Sequence, residues 1–257
     1  MKQQLRRIII FFPGGKTIGK KILGEYYKAL ARRRIRAMGG IKSVFTTFYE
    51  ENLWQSEESV SGPGSTIGNT KNIAKEIPRI VSDLRVKRIL DAPCGDYNWF
   101  RLVERDDDIS YIGGDIVEAL VISNQQRYGN DNTRFIYLDI TNDALPKADL
   151  WLCRDCWPHL SNDDIFKAIN NFMNSDITYL LTSINPTCKM NTNILTGQFH
   201  LLNLELPPFS FCKPLLSVGD WIEGYPVRQL ALWEKSQLSK NLTSNKAFQR
   251  AIQRFRH

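Results

Sequence analysis

Three carboxylates, each closing a short β-rich run, carry the strongest chemical signal in this chain. In Ile89-Leu90-Asp91-Ala92-Pro93-Cys94-Gly95-Asp96-Tyr97-Asn98-Trp99 an apolar run ends on an acid and then turns at a glycine. Gly95 stands where backbone must approach a ligand closely, and Asp91 can accept hydrogen bonds at the strand end. Asp115 closes the next run, twenty residues after Gly95, a place from which a carboxylate can accept from both hydroxyls of a ribose. Asp139 closes the third and can accept from an adenine amino group. Three acids in a row suit a nucleoside without phosphate, since like charges at this spacing repel. Asp91 and Asp139, taken singly, can equally begin turns after their strands; their joint register with Asp115 favours a ligand.

The nearest rival is a dinucleotide loop, which needs G-x-G-x-x-G so that free amides meet a pyrophosphate. The aligned positions here are Pro93, Gly95 and Asn98, and Asp96 adds a negative charge. Such a loop suits a sulfonium cation and an amino-acid tail better than a diphosphate. Beyond the fourth run stand Arg154, Asp155 and His159. Asp155 and His159 are candidate catalytic bases for an acceptor's proton. Structural alternatives stay open: an Arg154-Asp155 ion pair, and His159 bonded to backbone at the start of a helix. Cys153-x-x-Cys156 with His159 and His200 offers ligand-type side chains, but no second Cys-x-x-Cys or spaced His pair accompanies it, so no metal is expected. Gly15-Lys16-Thr17 imitates the end of a phosphate loop, yet the glycine required at position 10 is Ile10.

The elements that must position these residues read as an alternation of strands and helices. Strands are predicted at 86–90, 111–114, 134–138 and 149–153, each leading into an acid or an Arg-Asp pair, with a fifth at 177–183 and a late one at 229–233. Ser161 can cap a helix ahead of Asp163-Asp164. Another helix is predicted over 70–84 despite Pro78, and a basic amphipathic one from Lys16 to Ala37, closed by Gly39-Gly40. Residues 43 to 70 read as mixed and turn-rich, with 61–65 a loop; Trp54 to Ser65 either closes over a cofactor or simply connects. Asn185 to Pro214, rich in Asn, Thr and aromatics, forms either a lid and substrate wall or packing over a sheet edge. This pattern predicts a doubly wound, mostly parallel sheet with helices on both faces and a ligand across the strands' carboxyl ends.

At 257 residues with 42% hydrophobic side chains, the chain has the size of one α/β domain with small appendages. Its net charge of +7 is unevenly spread. Residues 1–42 hold twelve Lys/Arg and one acid, and 236–257 hold five bases and no acid, so the body 43–235 is net −9. The reading is therefore a basic amphipathic arm (1–42), a catalytic domain (43–235) and a basic tail (236–257). Any attraction to nucleic acid or a membrane surface resides in the ends, through Lys28, Arg32, Arg33, Arg34 and Arg36. Five cysteines, an odd number, read as reduced thiols of a cytoplasmic protein. The apolar run Ile8 to Phe12 is too short for a signal peptide or a membrane span, and Asn241-Leu242-Thr243 is a chance match to a glycosylation pattern.

Asp91-x-Pro93-Cys94-Gly95-Asp96, the acid at Asp115 and the Asp139-Ile140 pair together resemble the first three motifs of class I S-adenosylmethionine-dependent methyltransferases. More narrowly, the chain resembles a bacterial and algal branch with a Pro-Cys-Gly-Asp loop, a Tyr-Ile-Gly-x-Asp second strand and an Arg-Asp-Cys fourth strand. The resemblance runs from about Thr46 to Glu234. It implies a Rossmann-like seven-stranded sheet, S-adenosylmethionine as methyl donor, and cofactor contacts from Asp91, Pro93, Cys94, Gly95, Asp115, Ile116, Asp139, Ile140 and Arg154. That branch carries an acidic or aromatic residue and then Arg after the position of Gly197, where this chain has Gln198-Phe199-His200. Three functions are compatible: methylation of an oxygen on a small molecule or glycan, methylation of RNA or another macromolecule recruited by the basic arm, and a non-enzymatic binding or membrane-surface module. Intact acids on three strand ends argue against the last.

Overall fold

A computed structural model of the chain describes residues 29–220 and 224–255. Its strands are β1 (Arg88–Asp91), β2 (Ser110–Asp115), β3 (Thr133–Tyr137), β4 (Leu150–Cys153), β5 (Tyr179–Ile184), β6 (Leu216–Gly219) and β7 (Gln229–Glu234). The helices are α1 (Ile41–Glu50), α2 (Ile67–Asp83), α3 (Glu118–Tyr128), α4 (Asn162–Asn174), α5 (Lys235–Ser244) and α6 (Lys246–Phe255). The seven strands form one sheet in the order β3-β2-β1-β4-β5-β7-β6. β1 to β5 are parallel, whereas β7 runs antiparallel to both β5 and β6. The order reverses between β1 and β4, which opens a crevice at their carboxyl ends.

Strand side chains alternate between two cores, as the two-residue strand period requires. On β4, Leu150 and Leu152 face one side while Trp151 and Cys153 face the other; on β7, Leu230 and Leu232 oppose Ala231 and Trp233. One core takes Ile73, Ile77, Ile80 and Val81 of α2, and the other takes α4, α5 and α6. Those four buried residues of α2 hold the helix through Pro78, where a missing backbone donor otherwise costs about 3 kcal/mol. Ser161 caps α4, its hydroxyl accepting from the Asp164 amide at 3.2 Å.

Three sequence expectations need correction. Residues 43 to 70 are not uniformly turn-rich: α1 spans Ile41–Glu50 and buries Val44 and Phe48, so a boundary after residue 42 falls inside a helix. The 236–257 segment is not a tail. α5 and α6 bury Leu238, Leu242, Phe248 and Ala251 in the core, an apolar spacing that its basic charge masked. β6 was absent from the strand reading because Leu216–Gly219 is only partly buried and joins the sheet at its edge. The Asn185–Pro214 stretch packs inward through Leu202, Leu204, Phe209 and Phe211, while Phe199 stays exposed. Of the helix expected over Lys16 to Ala37, residues 29–37 are helical; the remainder, with Gly15-Lys16-Thr17, lies outside the described residues. Among the described residues, no helix is long and apolar enough to cross a membrane.

Candidate active site

The loop after β1 is pinned between its neighbours. The Cys94 amide donates to the Gly114 carbonyl at 2.9 Å, and Trp151 Nε1 donates to the Ala92 carbonyl at 2.9 Å. Gly95 has φ +56°, a conformation that L side chains avoid, and a Cβ there would lie 2.1 Å from Ser61 Oγ. Its amide donates to Asp115 Oδ2 at 2.9 Å, and the Val117 amide donates to Asp115 Oδ1 at 2.9 Å. A carboxylate has about four acceptor sites, so these bonds leave acceptor capacity for a ligand. Burial raises Asp115 to about 6 against those backbone donors. Asp91, which accepts from Tyr111 Oη at 2.8 Å, is pushed up by burial to about 7. The Cys94 thiol is raised well above its usual range, again by burial, so it packs as a neutral group. Pro93 and Ile116 are half-buried beside these acids.

Asp139 is placed differently. Its Oδ1 accepts from the Thr141 amide at 2.8 Å and the Thr141 hydroxyl at 2.6 Å, and its Oδ2 accepts from Asn142 Nδ2 at 2.9 Å. This carboxylate builds the turn after β3. Ile140 is buried next to it, its carbonyl taking Asn171 Nδ2 at 2.9 Å.

A strap formed by residues 56–66 crosses the carboxyl ends of β1 and β4. Asp96 gathers it: Oδ1 accepts from the Ser59 and Ser61 hydroxyls at 3.0 and 3.2 Å, and Oδ2 accepts from the Val60 amide at 2.9 Å. Glu58 Oε1 ties the strap's far end by accepting from the Ile67 amide at 2.7 Å and Asn98 Nδ2 at 2.8 Å.

Arg154 and Asp155 do not pair with each other, contrary to the simplest sequence expectation. Arg154 meets Asp220 in two parallel bonds, Nε to Oδ2 and Nη2 to Oδ1, both 2.9 Å, and its Nη2 also donates to the Gly64 carbonyl at 2.7 Å. Its guanidinium lies 5.3 Å from the Trp99 ring centroid. Asp155 instead pairs through Oδ2 with Arg228 Nη1, and Arg228 Nε reaches Asp220 Oδ2 at 2.9 Å. Four charges of alternating sign thus run from β4 to the base of the β6–β7 hairpin. Asp220 and Arg228 escaped the sequence reading because no local spacing links them to β4.

The electrostatics of the two candidate bases diverge. Arg228, then Arg154 and His159, outweigh the burial of Asp155 and hold its carboxyl at about 2, so it is a weak proton acceptor. Burial lowers His159 below its ordinary value, so it is neutral at pH 7. His159 Nδ1 lies 3.2 Å from the Gln198 carbonyl, which can only accept; the ring proton therefore sits on Nδ1 and leaves the Nε2 lone pair free. His159 is thus bonded to backbone through Nδ1, as its structural reading has it. His200 is buried and turns Nδ1 to the Thr192 carbonyl at 2.5 Å. The five cysteines are free thiols, and no group of three or more metal-ligating side chains gathers among the described residues.

Solved structures share this architecture. A SAM-dependent methyltransferase of Leishmania major matches with a TM-score of 0.57 at 12% identity, over 76% of this chain and 87% of that one. Burkholderia thailandensis 1,6-didemethyltoxoflavin-N1-methyltransferase, solved with 1,6-didemethyltoxoflavin and S-adenosylhomocysteine, matches with 0.54 at 15% identity, over 79% and 89%. Magnesium protoporphyrin IX methyltransferase of Synechocystis, with bound S-adenosylhomocysteine, matches with 0.51 at 15%, over 84% and 99%. No protein-family model and no curated protein matches the sequence. At these identities the likeness shows the fold: a Rossmann-like, mostly parallel seven-stranded sheet.

Proposed function

We propose that this chain is an S-adenosylmethionine-dependent methyltransferase acting on an oxygen of a small molecule or glycan. The observation that carries the reading is Asp115, held at the end of β2 by the Gly95 and Val117 amides, where a carboxylate can accept from a ribose diol. The donor set fits the cofactor. Two buried acids, Asp91 and Asp115, are held above their ordinary range and gain from a nearby cation, whereas a dinucleotide's phosphates would meet Asp96 and lack two of the three glycines. Strands spaced about 4.8 Å apart put the end of β4 roughly 10 Å from Asp115 across β1, a distance suited to the reach from ribose to a reacting methyl. The free thiols support a cytoplasmic setting.

When bound, S-adenosylmethionine supplies a methyl carbon already activated by its sulfonium, so the protein's task is orientation and proton removal. Asp115 and the Gly95 loop would hold the nucleoside, with Pro93 and Ile116 against it. His159 Nε2 accepts the acceptor's proton. Asp155 fixes Arg228, and through it the β6–β7 hairpin, instead of taking that proton.

Calorimetry with S-adenosylhomocysteine and with NAD tests the reading. S-adenosylhomocysteine should bind with micromolar affinity, about 7 to 8 kcal/mol. Binding of NAD alone would refute it. A second reading, a macromolecular acceptor such as RNA, draws on the exposed Arg32, Arg33 and Arg36 of the helical segment 29–37. Salt-sensitive RNA binding that vanishes when the chain starts at Ser43 would favour it, whereas binding to anionic vesicles would favour a peripheral membrane contact.

A further inference from the structure

The ring of His159 sits between two other aromatic rings. Trp54 approaches it at 6.2 Å between centroids with an interplanar angle of 70°, and Phe199 at 5.4 Å and 52°. Trp54 is itself braced edge-on by Phe48 of α1 at 5.3 Å, and it lies against Gly62 of the strap, where a Cβ would come within 3.2 Å of Trp54 Cβ. Phe199 is 52% exposed, yet its backbone is fixed on both sides. The Gly197 amide donates to the His159 carbonyl at 2.8 Å, and the His200 amide donates to the Pro158 carbonyl at 3.0 Å. Gly197, at φ +97°, presses so closely on α1 that a Cβ would sit 2.5 Å from Val44 Cγ1. A rigid backbone therefore presents an open aromatic face beside His159, whose Nε2 lone pair is available to take a proton.

We propose that the acceptor is an aromatic ring bearing a hydroxyl, seated against Phe199 and Trp54 with its oxygen at His159 Nε2; this rests on the methyltransferase reading above. Flat aromatic faces favour offset or edge-on partners of the same kind. Proton affinity points the same way. A phenolic hydroxyl near 10 is about four orders of magnitude from a neutral imidazole, whereas an aliphatic hydroxyl, comparable to water at about 15.7, is about nine. Burial of His159 weakens it further as a base and widens both gaps. In the reaction the phenolic oxygen forms its bond to the methyl carbon as the carbon–sulfur bond breaks. The bonding pair leaves on sulfur, which becomes a neutral thioether, and the phenolic proton passes to Nε2.

The test uses the full chain with S-adenosylhomocysteine bound, probed by saturation-transfer NMR with 2-naphthol, cyclohexanol and methyl glucoside, followed by turnover of each with methyl-labelled S-adenosylmethionine. Saturation transfer to 2-naphthol, labelled methyl ether from it, and little of either from the other two are expected. Phe199→Ala should raise KM for 2-naphthol about tenfold, the size of one lost aromatic contact, while the affinity for S-adenosylhomocysteine stays within twofold. With cofactor binding intact, the proposal is overturned if 2-naphthol fails to bind, if cyclohexanol or methyl glucoside is methylated as well, or if Phe199→Ala leaves KM unchanged. If S-adenosylhomocysteine itself does not bind, the methyltransferase reading falls first and takes the acceptor with it.

Discussion

Arg154 and Asp220, 66 residues apart, form a bidentate pair whose side chains are 4% and 0% exposed, and the same guanidinium holds the Gly64 carbonyl. One node therefore joins the end of β4, the strap and the β6–β7 hairpin. Asp220→Ala leaves two buried guanidinium groups, Arg154 and Arg228, without their shared acceptor. Urea unfolding should show a loss of about 3 to 5 kcal/mol. Arg154→Met combined with Asp220→Leu should recover part of it, since Arg154 is then no longer left unpaired, while Arg228 loses Asp220 but keeps Asp155.

Asp115 offers the most direct probe of the cofactor. Asp115→Ala should weaken S-adenosylhomocysteine binding by about 2 to 4 kcal/mol, because two hydroxyls lose a charged acceptor and the Gly95 amide loses its anchor. Calorimetry measures this; an unchanged affinity would place the ribose elsewhere.

The raised acids predict a proton linkage. Asp91, at about 7, and Asp115, at about 6, hold protons in the folded state that the unfolded chain releases near 4. Their contribution to stability is therefore greatest below pH 4 and declines as pH rises through 6 to 7. Asp155 acts in the opposite sense: held at about 2, it stabilises above pH 4, and that contribution is lost as pH falls through 2. Between pH 5 and 8 the melting temperature should therefore fall less steeply in Asp91→Asn than in the unaltered protein, where the decline from the two acids is opposed by His159 and His200, whose burial-lowered values add stability as pH rises. A bound sulfonium favours the ionised acids, so S-adenosylmethionine binding at pH 6.5 should release protons. Titrations in buffers of differing ionisation enthalpy read that release directly.

The two bases separate by substitution. His159→Ala should lower turnover about 10²- to 10⁴-fold with cofactor affinity preserved. In the unaltered protein the acidic limb of kcat/KM should lie below the ordinary histidine value, in keeping with the burial of His159 and the opposed influences of Asp155, Arg228 and His200 on it. Asp155→Asn should instead destabilise the fold by about 1 to 3 kcal/mol by removing the partner of Arg228, with a smaller effect on turnover. A larger turnover loss in Asp155→Asn than in His159→Ala would return the base role to Asp155.

What the sequence determined by itself follows from local rules. Short β-rich runs between helical stretches marked β1 to β5 and β7, the first four of them leading into an acid or an Arg-Asp pair, and the single glycine at Gly95 marked the loop that Asp115 anchors. The apolar period of α2 was likewise legible through Pro78. Features without a local signature were decided by tertiary structure. β6 exists as a strand through its pairing with β7, and α5 and α6 are read as structure only once their apolar faces meet the core. Asp139 has the same residue type as Asp115 but lies two residues beyond β3 instead of on the last residue of its strand, and its oxygens accept from Thr141 and Asn142 in the turn. Asp155 and His159 looked equivalent as bases until folding brought Arg228 to one and the Gln198 carbonyl to the other. A side chain's charge state depends on burial and on charges within a few ångströms, and those neighbours are chosen by the packing of segments far apart in the chain.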